Sequence, residues 1–235
     1  MESTDSFHLY TYYASSCCQR VIIAAHLKGI KLSFSFPNLG DAEHRNKYKS
    51  TVNPSATVPT LVVAHGSGGK TTIRQSVAIL EYLEERYPNR YPLLPPVGEP
   101  EGRALVRDFV NIISSDTQPP ANSRIAQRVK AIRNNLEDQI AFVKSAVVDG
   151  LEAYEQLLGE SLDTRTGATT IGAGVTMADV CLIPAVDQAL IYRFDLQFVP
   201  NIMKIYKNLK QLEAFKAADW RNQEDTPAKY RIQSS

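Results

Sequence analysis

The sequence predicts an α/β unit in front of an all-helical one, the front having the order βαβ, a surface helix, then ββα. Three observations carry this. Strand-like runs alternate with helical ones only in the first part of the chain, a proline-rich tract follows, and beyond it apolar residues recur at helical spacing alone. His8 to Tyr13 is a short β-like run, and Val21 to Leu27 is apolar and alanine-rich until Lys28-Gly29 closes a helix. Lys31 to Phe36 alternates polar and apolar side chains with period two, and the charged stretch Asp41 to Ser50 reads as a surface helix. Thr60 to Ala64 and Thr71 to Arg74 flank His65-Gly-Ser-Gly-Gly-Lys70, whose glycines suit a hairpin loop longer than two residues. Ser76 is then expected to cap an amphipathic helix, with Val77, Leu80 and Leu83 on one side and Glu81, Glu84 and Glu85 largely on the other.

Between Tyr87 and Glu101 the prolines at 88, 92, 95, 96 and 100 interrupt regular structure. The expected organisation is therefore a front domain over 1–88, a linker over 89–100 and a helical domain over 101–235. Segments 101–115, 124–158, 177–192 and 201–217 have helical spacing, while Gly159 to Gly174 reads as a loop. Thr176-Met-Ala-Asp179 has the pattern of a helix start in which Asp179 reaches back to the cap's amide.

Composition narrows the partners. A formal charge of +1 gives no electrostatic reason to expect nucleic acid or an anionic membrane. No run approaches the roughly 20 apolar residues of a membrane span, and MESTDSFHLYTYY lacks the pattern of a signal peptide. The cysteines Cys17, Cys18 and Cys181 form an odd set without metal-ligand spacing, so no metal site is expected and a reducing, cytoplasmic setting is.

The chemistry concentrates at Tyr13-Ala-Ser15-Ser16-Cys17-Cys18-Gln-Arg20, between the first strand and the first helix. A helix N-terminus there presents free amides and a positive dipole end to phosphate, carboxylate or thiolate; equally, Ser15 or Ser16 serves only as the cap. Val58-Pro59 stands directly before the third strand, where the peptide groups of Val58 can pair with an extended peptide. Gln75-Ser76 offers an amide and a hydroxyl at another helix start. Arg20, charged within a mostly apolar helix, calls for a buried partner and reads first as structural.

Ser15-Ser16-Cys17-x-x-Arg20-Val21, Lys28-Gly29-Ile30, Asn53-Pro54, Val58-Pro59-Thr60, Gln75-Ser76-x-Ala78-Ile79-x-Glu81-Tyr82-Leu83-Glu84 and Thr176-Met-Ala-Asp179 together resemble the zeta class of glutathione transferases over nearly the whole chain. The resemblance implies a thioredoxin-like front domain, a helical bundle behind it and a cytosolic homodimer. It implies glutathione as cofactor and cis–trans isomerisation of maleylacetoacetate, a small diacid, to fumarylacetoacetate in tyrosine and phenylalanine breakdown. Ser15, Ser16 and Cys17 are the implied catalytic residues, with Ser15 stabilising the glutathione thiolate. Arg20 belongs to the same motif, Val58 and Pro59 to the segment that meets the cysteinyl backbone, and Gln75 and Ser76 to the γ-glutamyl carboxylate. His44 corresponds to a position at the glycyl end, Gln118, Asn122, Ser123 and Arg124 to positions near the ligand, and Arg193 to a base that receives the substrate's carboxylate. Ala14 and Ile22 stand where arginine is common in the class, and Gln19 where an aromatic is frequent. These departures bear on substrate preference and keep a general conjugating transferase open; a non-catalytic module stays open because the same fold serves proteins that only dock partners.

Overall fold

The computed structural model describes residues 5–160 and 167–232, in which two compact units are distinguished: Met1–Pro92 with Leu212–Ser235, and Leu93–Gln211. The first unit follows the expected order, β1 (Ser6–Tyr10), α1 (Ser16–Leu27), β2 (Leu32–Ser35), α2 (Ala42–Thr51), β3 (Thr60–Ala64), β4 (Lys70–Arg74) and α3 (Ser76–Arg86). The sheet runs β2-β1-β3-β4, with β1 parallel to β2 and antiparallel to β3, and β4 antiparallel to β3. β1 ends at Tyr10 rather than Tyr13, because the chain turns there toward the N-cap of α1. Leu9, Leu61 and Val63 of the sheet are buried with Val21, Ile23, Ala24 and Ala25 of α1 and Ile79, Leu80 and Leu83 of α3. Each large apolar side chain so buried contributes about 1.5–3 kcal/mol.

Helix α1 ends as its sequence dictates. Gly29 takes the left-handed φ of +64°, so that its amide donates to the His26 carbonyl and that of Ile30 to Ala25, the paired closure for which glycine is favoured. The side chain of Lys28 is fully buried and donates to Glu84 Oε2 at 2.7 Å and to the carbonyls of Tyr87, Arg90 and Tyr91. Glu84 was expected on the polar face of α3; it is drawn into the core because this ammonium needs a counter-charge.

The second unit holds α4 (Pro100–Asn111), a π-helical turn (Ile112–Thr117), α5 (Gln118–Ala121), α6 (Ser123–Arg133), α7 (Leu136–Glu160), α8 (Met177–Ile191) and α9 (Pro200–Leu209). Two expectations are corrected here. The segment 124–158 is two helices, divided where Asn134 adopts φ +50° and Asn135 accepts from the Glu137 amide; asparagine tolerates this conformation, and the apolar spacing on either side hid the break. The expected loop from Gly159 begins later, since α7 runs to Glu160; residues 161–166 of that stretch lie outside the described residues. The π turn sits where Thr117 faces Gly150 of α7, its hydroxyl donating to the Ile112 carbonyl at 2.6 Å. Any side chain at 150 would collide with Thr117, so the close approach of the two elements requires a glycine.

The chain from Leu212 onward, expected in the helical domain, belongs to the first unit. α10 (Glu213–Ala217) packs against α1, and short turns at Trp220–Asn222 and Ala228–Tyr230 follow. Helical periodicity reveals that such a segment is amphipathic, not which unit its apolar face will cover.

Candidate active site

Sheet register assembles the front-unit residues. Tyr10 pairs with Thr60, and Thr60 pairs with Arg74, so the end of β1, the start of β3 and the end of β4 form one row. The segment to Ser15 leaves from the first position, Val58-Pro59 enters at the second, and Gln75-Ser76 leaves from the third. Adjacent strands lie about 4.8 Å apart, which makes the row about 10 Å across. Three extended residues span at most about 10–11 Å, so a tripeptide is of the length that could touch all three.

Ser15 is the N-cap of α1, with its backbone extended at φ −92° and its hydroxyl accepting from the Cys18 amide at 3.3 Å. That bond engages the oxygen as acceptor and leaves the hydroxyl proton available to a ligand. Ser16 is the first helical residue and is buried, whereas Cys17 is half-buried. The geometry thus exposes Ser15 and Cys17 more than Ser16. Burial pushes the Cys18 thiol up to about 12 despite hydrogen bonds with Ser15 and Thr11, so this thiol stays protonated and inert.

The Val58-Pro59 bond is cis. Its flanks are pinned by residues to which sequence reasoning gave no role in the site. Asn53 Nδ2 donates to the Thr57 carbonyl at 2.8 Å, the Tyr48 hydroxyl donates to the same carbonyl at 3.1 Å, and both side chains meet the Thr60 hydroxyl. Between these fixed points the N–H and C=O of Val58 have no hydrogen-bond partner among the described residues. The available signal for Tyr48 was its position as a lone aromatic in a polar helix, where it is the buried residue of α2.

Gln75, rather than Ser76, occupies the N-cap position of α3. Its backbone has φ +74° and ψ 126°, a strained conformation for a residue with a side chain, and that side chain makes no capping bond. Ser76 is the first helical residue, and its hydroxyl accepts from Arg20 Nη1 at 3.2 Å. Arg20 is only 1% exposed, and its Nε and Nη2 have no hydrogen-bond partner. The structural reading of Arg20 thus holds in part: its partner is a neutral hydroxyl, not a carboxylate. His44 lies on α2, exposed, with its ring nitrogen 3.1 Å from Asp41 Oδ1.

In the helical unit Gln118 begins α5 and is half-buried. Asn122 caps α6, its side-chain oxygen accepting from the Arg124 amide at 3.0 Å, and Ser123 and Arg124 are exposed in the first turn. A cavity of about 340 Å³ in this unit is lined by Ile112, Asp116, Phe142, Ser145 and Asp149 among others, and by none of these four residues. Arg193 lies one residue past the C-cap of α8 with φ +58°. Its amide donates to Leu190 and that of Phe194 to Ala189, the same closure that uses Gly29 at the end of α1. An exposed arginine therefore stands where glycine is favoured.

Residues 9–91 match the glutathione S-transferase N-terminal domain family. Over 97% of this chain and 96% of the relative, the sequence is 42% identical to the maleylacetoacetate isomerase of Aspergillus fumigatus. The chain belongs to the maleylacetoacetate isomerase family, the zeta class of glutathione transferases. Among solved structures, the maleylacetoacetate isomerase of Anaeromyxobacter dehalogenans, with glutathione bound in its active site, superposes on this zeta-class chain with a TM-score of 0.84 at 29% identity, covering 96% of this chain and 100% of that one. The same bacterial enzyme has also been solved with dicarboxyethyl glutathione and citrate in the active site. A maleyl pyruvate isomerase described as a bacterial zeta-class glutathione S-transferase gives a TM-score of 0.83 at 30% identity over 94% of this chain and 100% of that one.

Proposed function

We propose that this protein catalyses the glutathione-dependent cis–trans isomerisation of maleylacetoacetate to fumarylacetoacetate. The carrying observation is the row Tyr10, Thr60, Arg74, which sets a helix-capping serine, an unpaired peptide and a strained glutamine along one sheet end. The donor chemistry fits the cofactor. Val58 offers an N–H and a C=O to a peptide backbone, while Gln75, Ser76 and the N-terminus of α3 offer hydrogen bonds and positive potential to a carboxylate. Pro59 shapes the Val58 turn, and His44 is the candidate for the glycyl end.

When bound, glutathione supplies a thiolate that adds reversibly to the cis double bond and so permits rotation about it. The task of Ser15 is to favour thiolate over thiol. A thiol of pKa about 8.5 is only about 3% ionised at pH 7, and lowering it by about two units requires about 2.7 kcal/mol of preferential stabilisation. A charge-assisted hydrogen bond from Ser15 and the N-terminal dipole of α1 are together of that size. Ser16 and Cys17 line the same turn.

The substrate is a diacid, and Arg193 is the residue we assign to one of its carboxylates, with Gln118, Asn122, Ser123 and Arg124 supplying polar contacts. Supporting Arg193 is its exposed position in a left-handed conformation that a structural role alone would leave to glycine. We further infer a cytoplasmic homodimer. All three cysteines are unpaired, in keeping with a reducing compartment, and no helix among the described residues is long and apolar enough to cross a membrane. The test is a coupled assay of the purified protein with maleylacetoacetate, with and without glutathione. Glutathione-dependent formation of the trans product without glutathione consumption is expected; stoichiometric loss of glutathione would indicate a conjugating transferase instead.

A further inference from the structure

The segment that carries Ser15 is held by the far end of the chain. Between Thr11 and Ser15 the backbone leaves the sheet: the Thr11 amide donates to Ser35 of β2, and the Ser15 amide donates to the Tyr12 carbonyl. Midway, the Tyr13 amide donates to Asp225 Oδ2 at 2.9 Å, across 212 residues of sequence. The Tyr13 ring leans on Trp220 at 6.4 Å between centroids, and Trp220 packs edge-on against Tyr230.

Asp225 is itself held in place. Arg231 donates to the Thr226 carbonyl at 2.9 Å and to the Glu224 carbonyl at 2.7 Å, so one guanidinium bridges the peptides on either side of the aspartate. Asp219 binds Arg221 through both carboxylate oxygens, Gln223 donates to the carbonyls of Ala217 and Asp219, and the buried Thr226 donates to Trp220. This folded segment follows α10, which packs on α1. It is thus tied both to the body of the catalytic helix and to the turn that precedes it.

We propose that Asp219–Arg231 forms a clasp that fixes the Ser15 turn, and that Asp225 is a positioning residue for the thiolate-stabilising hydroxyl. This role of Asp225 rests on the one proposed above for Ser15. Misplacement of a catalytic group by about 1 Å can cost about a hundredfold in rate. The hydrogen bond that the Asp225 carboxylate accepts from the Tyr13 amide opposes such drift, and among the described residues no hydrogen bond or ion pair links the clasp to Val58, Gln75 or Ser76. Loss of Asp225 should therefore act on reactivity more than on binding.

The experiment compares Asp225→Ala, Asp225→Asn and Arg231→Ala with the parent by titrating the bound glutathione thiol spectroscopically and by steady-state kinetics. For D225A we expect the bound thiol pKa to rise by about one unit and kcat to fall by about threefold at pH 7, with the KM for glutathione within about twofold. D225N keeps an oxygen that can accept from Tyr13 and should return both quantities close to parental values. Since the aspartate charge alone would oppose a thiolate, a merely electrostatic role predicts the opposite, a lower thiol pKa in both variants. R231A should shift in the D225A direction by a smaller amount, and it decides the matter if D225A does not fold. A thiol pKa unchanged in D225A, or D225N as impaired as D225A, overturns the clasp. A parent that binds no glutathione overturns the functional reading instead. In that event, amide exchange of residues 11–19 in the free protein tests the clasp separately: at least tenfold faster exchange in D225A is expected, and equal exchange refutes it.

Discussion

Replacing Ser15 separates two roles that one hydroxyl holds. As a cap it accepts from the Cys18 amide at 3.3 Å, long for such a bond, so Ser15→Ala should cost only about 0.5–1 kcal/mol of stability. As the proposed donor to a thiolate it makes a charge-assisted bond worth about 1.5–3 kcal/mol, equivalent to a rise of about one to two units in the thiol pKa. If the parent holds the thiol near pKa 6.5, about three quarters is ionised at pH 7; raising it to about 7.5–8.5 leaves about 24% to 3%. Turnover at pH 7 should then fall by about three- to twenty-five-fold. The deficit should nearly vanish by about pH 9, where deprotonation no longer needs help. Ser15→Gly supplies the control, because glycine is almost as good a cap and equally lacks the hydroxyl. It should melt close to the parent yet show the same raised thiol pKa. Ultraviolet titration of bound thiolate, pH–rate profiles and thermal melts provide the readouts. An unperturbed thiol pKa in both variants would refute the assignment and leave thiolate stabilisation to Cys17 and the helix amides.

Three further outcomes are expected. Lys28→Ala should destabilise the protein by about 3–5 kcal/mol, read from urea midpoints, because it leaves the Glu84 carboxylate buried beside three carbonyls that lose a donor. In native protein at about pH 8, a thiol alkylator should label Cys17 alone, since the Cys18 thiol, pushed up to about 12, is ionised in only about one molecule in ten thousand and Cys181 is fully buried; peptide mapping that finds Cys18 labelled as fast as Cys17 would count against the burial argument. Arg193→Gly should raise stability by about 1 kcal/mol by relieving the left-handed conformation, yet lower isomerisation of maleylacetoacetate by at least about tenfold while sparing conjugation of a neutral aromatic electrophile; equal losses on both substrates would assign the arginine to the fold.

The front half was legible because its punctuation is local. Asp41, Lys28-Gly29 and the glycines of 65–70 each bound an element within a few residues, and the order of elements then fixes which strand ends share an edge of the sheet. Part of the site inherits that legibility, since Ser15, Val58-Pro59 and Gln75-Ser76 stand at strand-to-helix or loop-to-strand junctions. What stayed hidden depends on partners distant in sequence or on backbone conformation. Nothing near Glu84 reveals that a lysine in α1 will draw it inward, and nothing near Asp225 reveals that it will meet Tyr13. Gln75 gave no sign of its positive φ, because glutamine is not a residue that favours it, so the cap was assigned one residue late. The break at Asn134 was masked by apolar spacing that continues across it, through Ile132, Leu136 and Ile140.

The two buried cations of the front unit show how the fold divides structure from function. Lys28 spends its donors on Glu84 and three carbonyls, leaving a neutralised ammonium that ties α1 to the chain beyond α3. Arg20, two turns earlier on the same helix, meets a single neutral hydroxyl and keeps Nε and Nη2 unpaired. Both groups bear the full desolvation cost of a charge, but only one recovers it within the protein. Arg20 touches Ser76, the first residue of α3, where free amides already concentrate positive potential. A carboxylate arriving at Gln75 and Ser76 would therefore meet a charge that the protein has not cancelled. That account favours an acidic ligand at this end of the row over a neutral one, and it explains why an arginine can stand inside a helix that is otherwise apolar.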